Sequence, residues 1–167
     1  VANTTDSTSL EFEVYLEQGQ DTLYVTYVYA SEEYGEPSPD QPADVMGIIV
    51  DGVNVATTPG TVDDAVRSNT ITGGYPLGVN AVNAQYFINN DADESNPSSI
   101  SDFAFDGYTT VMTQEVSGLD AGWHNIRLTV SDVKTTDVDS ALFVLKGGIS
   151  TEPLVIEQLL GDMLGEK

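Results

Sequence analysis

Leu10, Phe12, Val14 and Leu16 alternate with Glu11, Glu13 and Tyr15, a period of two that fits a half-buried strand and no helix. Strand-like patterns of this kind recur as far as residue 150. DTLYVTYVYA is β-branched and aromatic throughout and predicts a more fully buried strand. VMGIIVDGVNVATTPGT reads as strand, tight Asp51-Gly52 turn, strand. Gly73-Gly74 and Tyr75-Pro76 mark a loop, with a short strand expected over residues 85–88. YTTVMTQEV is a further strand, followed by HNIRLTVSDV, in which Ile126, Leu128 and Val130 share a face. SALFVLKGGIS closes the set. No amphipathic helix of three turns precedes residue 151. The fold expected for residues 1–150 is therefore all-β, an antiparallel, jelly-roll-like β-sandwich. In residues 151–167 the pattern changes: Val155, Leu159 and Met163 fall at helical spacing, with Leu160 and Leu164 beside them. Pro153 suits a first helical turn, so this tail is expected to be a short helix or a linker.

Charge narrows the range of partners. The 167 residues carry 27 Asp plus Glu against 5 Lys plus Arg, a net charge of −22. Such a surface repels phosphate backbones and anionic lipid, which argues against nucleic acid and membrane surfaces as partners. No apolar run reaches the ~18 residues needed to span a bilayer, so no membrane insertion is expected. Absence of cysteine excludes disulfides, thiolate metal sites and cysteine catalysis. Most of the acids read as solvated surface.

Some acids stand where solvation is not the obvious explanation. Glu32 and Glu33 arrive just as the apolar run YVYA stops, and Asp44 stands at the start of the next strand. Asp132 shares the face of Ile126, Leu128 and Val130, one step past the last of them. Asp137 and Asp139 precede the following apolar strand. Unpaired buried carboxylates are costly and repel one another, and five basic residues cannot neutralise them all. A divalent cation can. Calcium takes about six to eight oxygen ligands, whereas zinc prefers His or Cys, and this chain has one His and no Cys. The candidate ligands are Glu32, Glu33, Asp44, Asp132, Asp137 and Asp139, with Asn80 and Asn83 as amide donors. Tyr34, Tyr75, Tyr86 and Tyr108 lie in or beside loops and are candidate walls of a ligand pocket, ordinary core packing being the alternative.

Two other patterns carry less. Asp91, Asp93, Ser95 and Asp102 echo the spacing of an EF-hand loop, but Asn96 replaces its glycine and no helices flank it. A serine triad would need His124, which follows Trp123 at a strand start, and there is no Gly-x-Ser-x-Gly elbow. His124 reads as a cross-strand or turn residue, and no enzymatic activity is expected.

YVYASEEYGE, ADVMGIIVDGVNVATTPGT, VNAVNAQYFINN, FDGYTTVMT and GWHNIRLTVSDVKTTDVDSALFVLKGG, in that order, resemble the choice-of-anchor L type domain. Domains of this type are similar to the calcium-dependent peptide-binding modules of giant bacterial RTX adhesins. The resemblance covers roughly residues 8 to 149. It implies an extracellular β-sandwich on a bacterial cell surface, part of a larger multidomain chain, which binds calcium and holds a peptide or protein ligand on another cell. It also implies metal-ligand roles for Glu32 or Glu33, Asp44, Asp132 and Asp139. The chain departs from the family pattern after Asp44, where Val45-Met46-Gly47 replaces aromatic residues, and in the loop between Gly60 and Val79. A calcium-dependent carbohydrate module and a calcium-rigidified spacer are the alternative readings.

Overall fold

The computed structural model describes residues 4–35, 43–91, 104–133 and 138–155. In chain order these form β1 (Thr4–Leu16), β2 (Thr22–Ser31), β3 (Val45–Val50), β4 (Val53–Asn54), β5 (Phe87–Asn89), β6 (Gly107–Thr109), β7 (Met112–Ser117), β8 (Gly122–Val133) and β9 (Ser140–Ser150). A single 3₁₀ turn, Ala84–Tyr86, precedes β5. All pairings are antiparallel, and the strands make two packed sheets, so the expected sandwich is the fold. The first sheet runs β1-β8-β3-β4. In the second, β2 is central. It pairs along one side with β7 and then β6, and along the other with β9, while β5 adds to β6.

The hydrophobic pattern determines which faces meet. Val25, Tyr27 and Tyr29 of β2 face Ile48, Ile126 and Leu128 of the first sheet in one buried cluster. Removing each large apolar side chain from water contributes about 1.5–3 kcal/mol. All six residues of β3 are buried, which is more than a half-buried strand requires. The stretch after β4 explains this: Ala56, Val66 and Ile71 join the same cluster, and the N–H of Met46 donates to the carbonyl of Val66. The Gly60 to Val79 loop is thus partly core. Thr58 and Thr70 hold it in shape, their hydroxyls both donating to the carbonyl of Ala65.

Asp51 and Gly52 make the β3–β4 turn with φ values of 49° and 85°, the left-handed pair that a type I′ hairpin requires. Three boundaries differ from those the pattern predicts. β1 begins at Thr4, because its polar first residues still pair with the end of β8. YTTVMTQEV divides into β6 and β7, which pair with different parts of β2. The strand expected over residues 85–88 is a 3₁₀ turn followed by β5. Residues 151–155 continue from β9 without a helix, and 156–167, where the helical spacing lies, are outside the described residues.

Candidate functional site

The end of β2, the start of β3, the end of β8 and the start of β9 meet at one pole of the sandwich. Asp44, just before β3, is the hub and is fully buried. Its Oδ1 accepts the N–H of Val133 at 3.0 Å and its Oδ2 the hydroxyl of Ser140 at 2.8 Å. Its own N–H donates to Glu33 Oε2 at 2.6 Å. Its carbonyl accepts the Tyr29 hydroxyl at 3.2 Å. Ser68, from the loop that covers β3, donates to the same Glu33 oxygen at 2.6 Å. Ser140 Oγ also lies 2.9 Å from Ser31 Oγ at the end of β2, within hydrogen-bond distance. Beside this hub, Glu32 and Asp139 are tied reciprocally: the Glu32 N–H donates to the Asp139 carbonyl at 2.9 Å, and the Asp139 N–H to Glu32 Oε2 at 3.0 Å.

Hydrogen bonds thus tie Glu33 to Asp44 and Glu32 to Asp139 at this pole, with Asp132 next to Val133 in the same region. The electrostatics agree. Burial pushes the Asp44 carboxyl up to about 6; the bonds from Val133 and Ser140 act against that rise, and the charge of Glu33 adds to it. Asp132 is raised as well, first by burial and then by the charges of Asp44, Asp6 and Asp139. Asp6 is a member of this group that the sequence pattern does not single out. It lies across the ladder from Asp132. Residues 4–9, TTDSTS, are polar on both faces, so no alternation signals that β1 reaches this far.

Other expected members lie elsewhere. Asn80 and Asn83 take left-handed backbone conformations in the loop after Gly74. Asn83 donates to the carbonyl of Thr70 at 2.9 Å, and Asn80 is exposed. Asp137 lies outside the described residues, as does most of the EF-hand-like loop, residues 92–103. Tyr34 is a core residue, only 2% exposed, with its ring between Tyr29 and Phe87. Its hydroxyl has no hydrogen-bond partner among the described residues. Tyr86 and Tyr108 are half-buried, whereas Tyr75 is exposed.

The donors gathered at this pole are oxygens, which suits a hard divalent cation and not zinc. Among the described residues, no three carboxylate or imidazole groups close on one point as a ready metal cage. Asp44 in particular is occupied as a structural acceptor, bridging the two sheets.

The opposite pole carries His124, near the start of β8. Its Nδ1 lies 2.6 Å from Asp51 Oδ2 and its Nε2 2.7 Å from the Asp120 carbonyl. Two acceptors at the two ring nitrogens favour the protonated ring. The bond to Asp51, then that to Asp120, raises the His124 pKa. The bond from His124, then that from the Asn125 N–H, lowers the Asp51 pKa. His124 therefore stabilises the fold below its unfolded pKa, near 6.5, and that contribution is lost as pH rises through its raised folded value. Asp51 contributes above about 3.9 and is lost on acidification through its lowered value. Both contributions are present between about pH 4 and 6.5. Asp51→Asn is expected to cost about 1 kcal/mol at pH 5.5 and less at pH 9, measured by urea unfolding.

Residues 1–150 match the family model of the Choice-of-anchor L domain. No curated protein and no solved structure matches the chain. No helix among the described residues is long and apolar enough to cross a membrane.

Proposed function

The chain belongs to the Choice-of-anchor L domain family, a family of cell-surface-associated domains, and from that premise we propose that it is a calcium-dependent binding domain of a bacterial adhesin, holding a peptide or protein terminus on a partner cell. The observation that carries this reading is the gathering of Glu32, Glu33, Asp44, Asp132 and Asp139 from four strand ends at one pole. Glu32, Asp132 and Asp139 are the carboxylates that would have to turn toward the ion on binding, since no three groups among the described residues already close on one point, with Asp44 and Glu33 fixing the backbone around them. Bound calcium supplies positive charge on a strongly acidic surface, to which a ligand carboxylate is attracted. The chain's own residues set the geometry. Asp44 locks the end of β8 to the start of β9, and the Glu32–Asp139 pair holds the loop edges in register. Tyr75, exposed beside Leu77 and Val79, offers apolar surface on the neighbouring loop.

The test is a calcium titration followed by thermal melting, then binding of a peptide library with free or amidated C-termini. Calcium is expected to raise the Tm by several degrees, and chelation to remove both that gain and the peptide binding. Amidation should weaken binding about tenfold or more. Peptide binding that persists in excess chelator would refute the proposal. A calcium-dependent Tm with binding on a glycan array and none to peptides would favour a carbohydrate module, and no ligand of either kind a spacer.

A further inference from the structure

β1 is an edge strand of thirteen residues, paired with β8 along its length and, among the described residues, with nothing on its other side. Edge strands usually carry some feature that discourages further pairing: shortness, charged side chains, proline or a bulge. The other edges here conform. β4 has two residues and β5 three, and β7 carries Glu115. β9 carries Lys146, a left-handed Gly147 and an irregularity in its ladder. Beyond an irregularity at Thr4–Asp6, β1 has no proline and no register break, and from Ser7 to Leu16 its only charges, Glu11 and Glu13, are acidic, which repels acidic partners and not basic ones.

The two faces flanking this open edge differ. On the core side, the burial of β1 fades toward its start. Leu16 is buried and Val14 and Phe12 are half-buried, while Leu10 is 62% exposed although it faces Leu128 across the ladder. An apolar shelf therefore runs along the edge, with no covering strand among the described residues. On the outer side stand Glu11 and Glu13, both exposed, and then Tyr15 against Trp123. Arg127 faces Glu11 and Asn125 faces Glu13 from β8.

We propose that the free edge of β1 is a strand-addition site for an extended segment of another polypeptide in which basic and apolar residues alternate. Main-chain hydrogen bonds would supply affinity, and alternate side chains would meet the two rows. Apolar side chains fit against Leu10, Phe12 and Val14, and cationic ones beside Glu11 and Glu13. A second copy of this chain is disfavoured, since it would bring another net charge of −22 against an acidic row. The site does not depend on calcium, so it stands or falls apart from the function proposed above.

The probe is a peptide of about ten residues alternating lysine and valine, tested in chelator by fluorescence anisotropy. Saturable one-to-one binding is expected, with slowed amide exchange confined to β1. Two isomers N-methylated on alternate residues keep charge and pattern, but each blocks one edge of the peptide. N-methylation of the pairing edge is expected to weaken binding about tenfold or more. The Glu11→Lys/Glu13→Lys double variant, altered only at exposed positions, should lose the lysine peptide by a similar factor and gain a glutamate–valine one. Equal binding of all methylated forms would reduce the attraction to general electrostatics and overturn the proposal. Protection on β7 or β9, or concentration-dependent dimerisation through β1, would also overturn it.

Discussion

Asp44→Asn is expected to stabilise the calcium-free domain at pH 7.5 and to leave it nearly unchanged below pH 4. The folded pKa of Asp44 is raised, to about 6. A raised carboxyl contributes its full stability below the unfolded pKa, near 3.9, and loses it as pH climbs through the folded value. Well above pH 6 the wild type therefore keeps a buried charge at a cost of about 3 kcal/mol, or about 9 °C in Tm. Asparagine removes that charge and keeps the geometry. Its oxygen accepts from Val133, and its amide can donate to Glu33 or Ser140, groups already at hand. The gap between variant and wild type should open from pH 4 to 6 and then stay level. With saturating calcium the order should reverse, because the wild type alone keeps the full charge set that attracts the ion. Paired melting curves across pH, with and without calcium, read both effects. A calcium-free Asp44→Asn domain less stable than wild type at pH 7.5 would contradict this account of the hub.

The second large effect is expected at Gly107 in β6. A Cβ built there lies 2.5 Å from the Phe87 ring and 2.8 Å from the Tyr34 ring. These rings pack 4.8 Å apart, centroid to centroid, and Tyr34 is buried, so relieving the clash means displacing the half-buried Phe87 ring or disturbing the core. Gly107→Val adds two further methyl groups to this clash. The expected loss is about 3 kcal/mol, near the upper end for overpacking, and about 10 °C in Tm. Gly107→Ala should lose roughly half as much. A valine variant that melts with the wild type would show that the rings separate easily.

How much of this was legible beforehand depends on which interactions decide each position. Period two in β1 and the aromatic run of β2 are local signals, and they mark strands directly. Asp51-Gly52 is equally local, since few residue pairs tolerate two left-handed conformations in succession. Acids beside apolar strand ends marked the pole where Glu32, Glu33, Asp44 and Asp139 meet. What stayed hidden depends on partners far along the chain. Asp6 joins Asp132 only through the β1–β8 register. Ser140 and Ser68 are ordinary polar residues until Asp44 and Glu33 come within reach. Tyr34 follows two glutamates and looks like loop, yet Gly107, from a distant segment, leaves the space that draws its ring inward. Asn80 and Asn83 have good oxygen donors, but their left-handed backbones point to turn-making as a sufficient reason for their presence.

The strand directions also bear on how the domain responds to load. Thr4 lies opposite Val133 at the acidic pole, and β1 runs from there to Leu16 at the other; β9 starts at that same acidic pole, opposite Ser31, and ends opposite Tyr24 at the far one. Tension applied between Thr4 and Ser150 is thus directed along both strands, parallel to their axes. The ladders to β8 and β2 run across that axis, so many bonds must shear together before either strand slips. A fold threaded this way resists extension far better than one peeled open bond by bond.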